Sequence, residues 1–497
     1  MENTQRFYVL LILLSLGLAL GRIAAVDTVQ NRGLQKYREN QIPKQLAAKE
    51  KRLRESGAPE ALIPEEMRRT EENLRRDARL CFPFFSANDR SRWGTIRALV
   101  EPDMRVPGAP FAIDRVMLEK GWDTIDMVKH DGHYYSSKPP LFPAMIAGMY
   151  GVLHLATGLT LGQDTFLTVK ILLALVNLPF LLLFLISTVK LAERLGEGEW
   201  SRFFVVATAC FATFLTTFCV TLNNHLPAAA CVACVLWILV KMTQEDRYPF
   251  GLILLVGILT AFTVVHELPA LSFLVVVSAI LLGHLLVRND LSRTVLGFFV
   301  LLLGMGCVAV PYLGTNYVAH GCLTPPYMHR KASDNWYEYT YTAANGTERQ
   351  SYWQNPQGLD RGEPSVGKYA VNVLVGSHGV FSLTPVWLLS MVGIGIGLRR
   401  DRGPTWWFAP LAFLLTVVVL TFYILRPLND RNYGGLCCGF RWAFWLIPIW
   451  LGTALPALEK METSRILRGL ALLLLFLSAM CVAFPTWNPW TLPIWCF

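Results

Sequence analysis

Apolar residues in this chain gather into continuous blocks of roughly 18–22 positions, the length of helix that crosses a ~30 Å hydrocarbon core. They lie near 7–26, 166–189, 203–222, 225–242, 250–265, 268–287, 294–314, 379–398, 405–424, 442–458 and 466–484. Backbone polar groups inside a membrane must bond within their own segment, so such runs predict helices. The expected fold is an all-α polytopic membrane protein with about 11 transmembrane helices. The first block reads as an uncleaved span, because Arg6 is the lone basic residue before it and Ala24-Ala25 is a poor cleavage signal.

One further apolar block, 141–161, decides the orientation. If it crossed, the short loops carrying Lys190, Arg194 and Arg202, then Arg288 and Arg293, then Arg399, Arg400 and Arg402 would all face outward. If it does not cross, all of them face the cytoplasm, which the positive-inside rule prefers. Residues 141–161, led by Pro139-Pro140, are therefore expected to lie in the outer interface, with the N-terminus cytoplasmic. The expected divisions are a first span (1–26), a charged helical outer insertion (27–80) and an outer loop with interfacial helices (81–165). A membrane bundle (166–314), a second outer loop (315–378) and a C-terminal bundle (379–497) follow. The composition shifts at Cys81 from Lys, Arg and Glu to an aromatic and Arg-rich stretch.

Composition agrees with the membrane class. Of 497 residues, 53% are hydrophobic and only 16% charged, with a mean hydropathy of +0.39. The net charge of +9 is explained by basic residues at span ends, so no nucleic-acid partner is implied. The 11 cysteines form no framework: Cys231 and Cys234 sit in an apolar run without neighbouring ligands, and Cys437-Cys438 are adjacent in a loop. The chain has no Gly-rich nucleotide loop, HExxH or G-x-S-x-G, so nucleotide hydrolysis, zinc proteolysis and serine esterase chemistry lack support. A sequon, Asn345-Gly346-Thr347, falls in the second outer loop.

Candidate chemistry collects on the outer face. In Asn88-Asp89-Arg90-Ser91-Arg92-Trp93, the spacing of Trp93, Ile96 and Val100 predicts a short amphipathic helix at the membrane surface. Asp89 shares the face of Trp93, where it could accept a proton from a substrate; the competing reading is a first-turn acid offsetting the helix dipole. Lys138 precedes Pro139-Pro140 at a defined depth and suits a lipid phosphate, or it is a snorkelling interfacial lysine. Asn223-Asn224-His225 and His266-Glu267 sit at outward turns, where ionisable groups face a cavity or end helices in the wet interface. In the stretch 426–442, glycines permit close backbone approach and Arg431 and Arg441 could fork onto phosphate oxygens. Arg92, Tyr135, His225, His266, Glu267 and Asp430 are the further candidate substrate contacts.

Taken in order, these residues resemble the GT-C glycosyltransferases that use polyprenyl-phosphate sugars, a group that includes aminoarabinose transferases of lipid A and protein O-mannosyltransferases. The resemblance rests on NDRSRW with Asp89, on SSKPPLFP with its helix, on a span starting near Val169-Lys170, and on YGGLCCGFRWAFWLIP. It implies that Asp89 deprotonates the acceptor, that Lys138 contacts the donor's lipid phosphate, and that Arg441 assists. It implies an inverting transfer from a polyprenyl-phosphate donor to a lipid, protein or glycan acceptor, with membrane lipids as surroundings and no obligatory metal or other cofactor. A bacterial plasma membrane is the expected location. Where many relatives carry a second acid, this chain has Asn223-Asn224-His225. Two other readings are a flippase for a lipid-linked sugar, which would favour inverted repeats and midplane charges, and a non-catalytic scaffold.

Overall fold

The computed structural model describes residues 2–78, 86–331, 333–343, 346–400, 403–485 and 488–496. Cys81, Asn345 and Arg402 lie outside the described residues. Helix α1 (Glu2–Ala24) carries the first apolar block and runs on into α2 (Val26–Glu55), which folds against α3 (Ile63–Ala78). This charged hairpin turns at Gly57, whose φ of 72° suits glycine. Its exposed faces carry one-turn pairs such as Arg68 with Glu65 and Glu72, screened by solvent and therefore weak.

Helix α4 (Ala87–Val100) is capped by Ser86, whose hydroxyl accepts from the Asp89 amide at 3.2 Å. It differs from the expected surface helix: Asn88, Asp89, Ser91, Arg92 and every residue from Trp93 to Ala98 are buried. The short α5 (Asp114–Leu118), a β-hairpin (β1, Met127–His130; β2, His133–Ser136) and α6 (Leu141–Thr157) pack around it. An all-round burial of charge requires internal partners, and Arg97 has them in Glu101 (2.7 Å) and Glu119. Glu101 also accepts from Tyr150 and from the Leu161 amide, which ties α4, α6 and the following loop together.

The β-hairpin turns through Asp131-Gly132, both at positive φ (47° and 82°), the two-residue turn that pairs His130 with His133. That register carries through to Met127 opposite Ser136, so Asp126 comes beside Ser137, whose amide donates to the Asp126 carbonyl at 3.1 Å. α6 then opens after Pro140 and ends at left-handed Gly158. One face of α6 is buried, while Met145, Met149, Val152 and Leu155 are exposed on the other.

The membrane bundle follows: α7 (Thr165–Leu195), α8 (Glu199–Phe211), α9 (Phe214–Thr217), α10 (His225–Glu245), α11 (Phe250–His266), α12 (Leu271–Arg288) and α13 (Leu291–His320). After short strand pairs β3–β4 (Arg330–Lys331, Asp334–Asn335) and β5–β6 (Thr340–Thr342, Glu348–Gln350) come α14 (Val366–Leu374) and α15 (Val380–Leu383). α16 (Trp387–Gly397), α17 (Phe408–Ile424), α18 (Ile447–Glu462) and α19 (Arg465–Ala483) complete the chain. Among the described residues, eight helical segments are long and apolar enough to cross a membrane, one of them the broken run Glu199–Val220 through α8 and α9. The shorter α11, α16 and α17 occupy three more of the expected blocks. The strands are a small addition to the all-α expectation.

α10 and α18 form the centre, packed among other helices, whereas α1 and α19 leave most of their apolar surface outward, as lipid-facing helices do. α11 and α13 touch backbone to backbone, because a Cβ at Gly257 would stand 2.4 Å from the Leu301 carbonyl oxygen. At one end of the bundle, α10 and α18 begin and α11 and α17 finish, and α4, the β-hairpin and the loops after α13 and α17 gather there. The basic turns with Lys190, Arg194, Arg288, Arg293, Arg399 and Arg400 belong to the opposite helix ends.

Candidate active site

A cleft of about 550 Å³ opens at the gathered end. Arg92, Lys138, His225, His266, Glu267, Asp430 and Arg441 lie on its wall, brought from α4, the start of α6, the ends of α10 and α11, and the 426–442 stretch. Asp89, Tyr135 and Arg431 are not on the wall. Asp89 is 2% exposed and sits behind Ser86 and Trp490, which do line the cleft. Tyr135 packs edge-on against His320 and lies off the cleft wall. Arg431 is buried in the turn after α17, where its backbone carbonyl accepts from the Glu363 amide.

The turns before α10 and after α11 meet in one hydrogen-bonded chain. Arg92 donates to the Asn224 side-chain oxygen at 2.9 Å and to Asn88, and Asn224 Nδ2 donates to Glu267 Oε1 at 2.7 Å. The same Glu267 oxygen lies 2.5 Å from His225 Nδ1, and His225 Nε2 lies 3.1 Å from Arg441 Nη1. A guanidinium only donates, so Nε2 is the acceptor and His225 carries its proton on Nδ1, given to Glu267. The chain holds Arg92 and Arg441 rigidly at either end. Arg441 is further fixed by the Gly434 carbonyl at 2.9 Å and by Trp490, whose ring its guanidinium covers at 5.1 Å. Gly434 has a φ of 89°, and a Cβ there would stand 3.1 Å from Arg441 Nε.

Lys138 reaches Asp126 Oδ1 at 3.2 Å, with 21% and 13% of the two side chains exposed. Burial pushes the Lys138 ammonium down, and Asp126 offsets that. Burial likewise raises Asp89 to about 7, against the pull of Arg92, of the Trp490 indole donating at 2.9 Å and of Ser86. Arg92 is lowered to about 10 by the same burial, with Asp89 opposing. Asp89 Oδ1 has no hydrogen-bond partner among the described residues. The wall carries five cationic side chains, Arg92, Lys138, Arg330, Arg426 and Arg441, against four carboxylates, Asp126, Glu267, Asp360 and Asp430. The excess of one positive charge suits a monoanion.

Sequence reasoning missed Asp126, Asp360 and Trp490. Asp126 had a signal: an Asp-Gly turn at 131–132 fixes the register that sets residue 126 opposite 137. Asp360 and Trp490 come from loops with no such signal. Among the described residues, no group of three or more His, Cys, Asp or Glu side chains could hold a metal ion.

No protein-family model matches the chain, and no curated protein sequence matches it. Solved structures do. ArnT from Cupriavidus metallidurans in the apo state is 16% identical over 78% of this chain and 57% of that one, with a TM-score of 0.43. The same protein bound to undecaprenyl phosphate is 18% identical over 78% and 61%, with a TM-score of 0.44. The Archaeoglobus fulgidus oligosaccharyltransferase in complex with zinc and sulfate is 11% identical over 81% and 52%, with a TM-score of 0.41. The chain thus spans between half and two thirds of their lengths. What those proteins bind belongs to them.

Proposed function

We propose that this protein is a membrane glycosyltransferase moving a sugar from a polyprenyl-phosphate donor to an acceptor at the non-cytoplasmic face, with its N-terminus in the cytoplasm. The observation that carries the reading is the convergence of Lys138, Arg92 and Arg441 on one cleft, at the bundle end remote from the basic turns. A sugar phosphodiester brings one negative charge, which matches the single excess cation of the wall. The phosphate displaces Asp126 from Lys138 as it binds, and Arg441 supports it from the opposite side.

In the reaction, the acceptor oxygen or nitrogen bonds to the anomeric carbon as the bond from that carbon to the phosphate oxygen breaks. The acceptor proton passes to Asp89 by way of the Ser86 hydroxyl, which lines the cleft and donates to Asp89 Oδ2. The charge on the departing phosphate is met by Lys138 and Arg441, fixed cations that need no reorganisation. Direct displacement inverts the anomeric centre. Asp89 suits the base because its pKa of about 7 is matched to neutral pH, and because Ser86 and Trp490, which hold it, are themselves in the cleft wall. Arg92, His225 and Glu267 position Arg441 rather than react.

The test is purified protein in nanodiscs with polyprenyl-phosphate sugars, read as release of polyprenyl phosphate. Wild-type turnover that Asp89→Asn and Lys138→Ala both lose is the expected result. Turnover retained in Lys138→Ala, or lipid binding with no turnover under any acceptor, refutes the assignment.

A further inference from the structure

The cleft is divided in charge. Its half built from 327–361 and 426–436 holds Arg330 and Arg426, both already committed to Asp430, at 3.5 and 2.7 Å. Asp360, on the same wall, has no cationic side chain ion-paired to it among the described residues. Its two oxygens accept from neutral groups, Asn432 Nδ2 and the Tyr352 hydroxyl, both at 2.9 Å. This half therefore balances to zero charge, and the excess cation lies with Lys138, Arg92 and Arg441. A phosphate here would compete with Asp430 for its two arginines and would meet the charge of the Asp360 carboxylate on the same wall.

The same half is aromatic. Tyr337 and Trp353 meet edge to face at 6.5 Å, and the Arg330 guanidinium covers both rings, at 4.8 and 5.4 Å. The segment bearing Trp353 and Asp360 is held to the turn after α17. The Glu363 amide donates to the Arg431 carbonyl at 2.9 Å, and a Cβ on Gly362 (φ 79°) would overlap the Leu428 carbonyl. Each Asp360 oxygen keeps a free lone pair after its one protein bond, and Asn432 adds an amide beside it. The partly exposed Trp353 indole next to planar hydrogen-bonding groups, without net charge, is complementary to a sugar ring with its hydroxyl edge.

We propose that this half of the cleft is the acceptor subsite and takes an uncharged sugar, its ring against Trp353 and its hydroxyls on Asp360 and Asn432. The inference rests on the glycosyltransferase reading above and names its acceptor class. A neutral glycan, free or on a lipid, brings the attacking hydroxyl; a phosphorylated glycolipid headgroup is repelled by Asp360.

Binding tests it separately from turnover. Full-length protein in nanodiscs is titrated with maltotetraose and cellotetraose, with glucosylceramide in the disc, and with bisphosphorylated lipid A, using saturation-transfer NMR and calorimetry. Undecaprenyl phosphate binding is measured in parallel. The expected result is binding of at least one uncharged sugar, free or lipid-borne, weakened about 10-fold by Trp353→Ala and by the isosteric Asp360→Asn. Undecaprenyl phosphate binding should change less than about 2-fold in both variants, which also shows that they fold. Sugar binding without undecaprenyl phosphate binding supports the subsite and overturns the donor assignment instead. Failure of every uncharged sugar, or lipid A binding that Asp360→Asn tightens, overturns the proposal.

Discussion

Replacing Asp89 by asparagine separates the cost of burying its charge from the use of that charge. The pKa is raised from 3.8 to about 7, chiefly by burial, so the ionised form is disfavoured in the fold by about 4 kcal/mol. The sign follows from proton binding: between pH 3.8 and about 7 the native state holds a proton that the unfolded chain has released, so stability falls as pH rises through this window. Asparagine keeps the shape and can still accept from Trp490, and it never ionises. Asp89→Asn is therefore expected to be more stable than wild type by about 4 kcal/mol at pH 8, and by about 2 kcal/mol at pH 5. Unfolding entropy of ~2 cal/mol/K per residue makes a chain of this size shift by about 1 °C per kcal/mol. The melting temperature in detergent, followed by intrinsic fluorescence, should rise by about 4 °C at pH 8 and about 2 °C at pH 5. The same variant should lose transfer activity, and wild-type kcat/KM should rise with an apparent pKa near 7. A stability change that is equal at both pH values, or a loss at both, refutes the reasoning.

Glu267→Ala strands the donors of His225 and Asn224, and a fall in melting temperature of about 2–5 °C is expected from about 2–5 kcal/mol. Glu267→Gln, which keeps one acceptor oxygen, should lose less. Lys138→Ala should weaken undecaprenyl phosphate binding about 10- to 100-fold, as loss of a charge-assisted contact does, measured by calorimetry in nanodiscs. Gly257→Ala forces α11 from α13 and should cost about 1–3 kcal/mol, read as accelerated thermal inactivation; an unchanged half-life would contradict the close helix contact.

The sequence by itself determined the class of molecule and most of its helices, because apolar runs of membrane length allow no other backbone solution. α10 and α12 fall on their blocks within about three residues. It also carried Lys138, His225, Glu267 and Arg441, since ionisable groups beside apolar runs stand out against their surroundings. Tertiary structure decided which of these meet. His225 and Glu267 are 42 positions apart, and their contact depends on α10 and α11 packing antiparallel. The Trp93–Ile96–Val100 stripe of α4 looks the same whether the polar side faces water or a buried ion-pair cluster, so its all-round burial is not legible in the sequence. Arg97 finds Glu101 one turn away but Glu119 only through the fold. Asp126 was legible from the turn at 131–132, whereas Asp360 and Trp490 were not: loops have no periodicity, and their side chains find a site only when helix ends distant in sequence close around it.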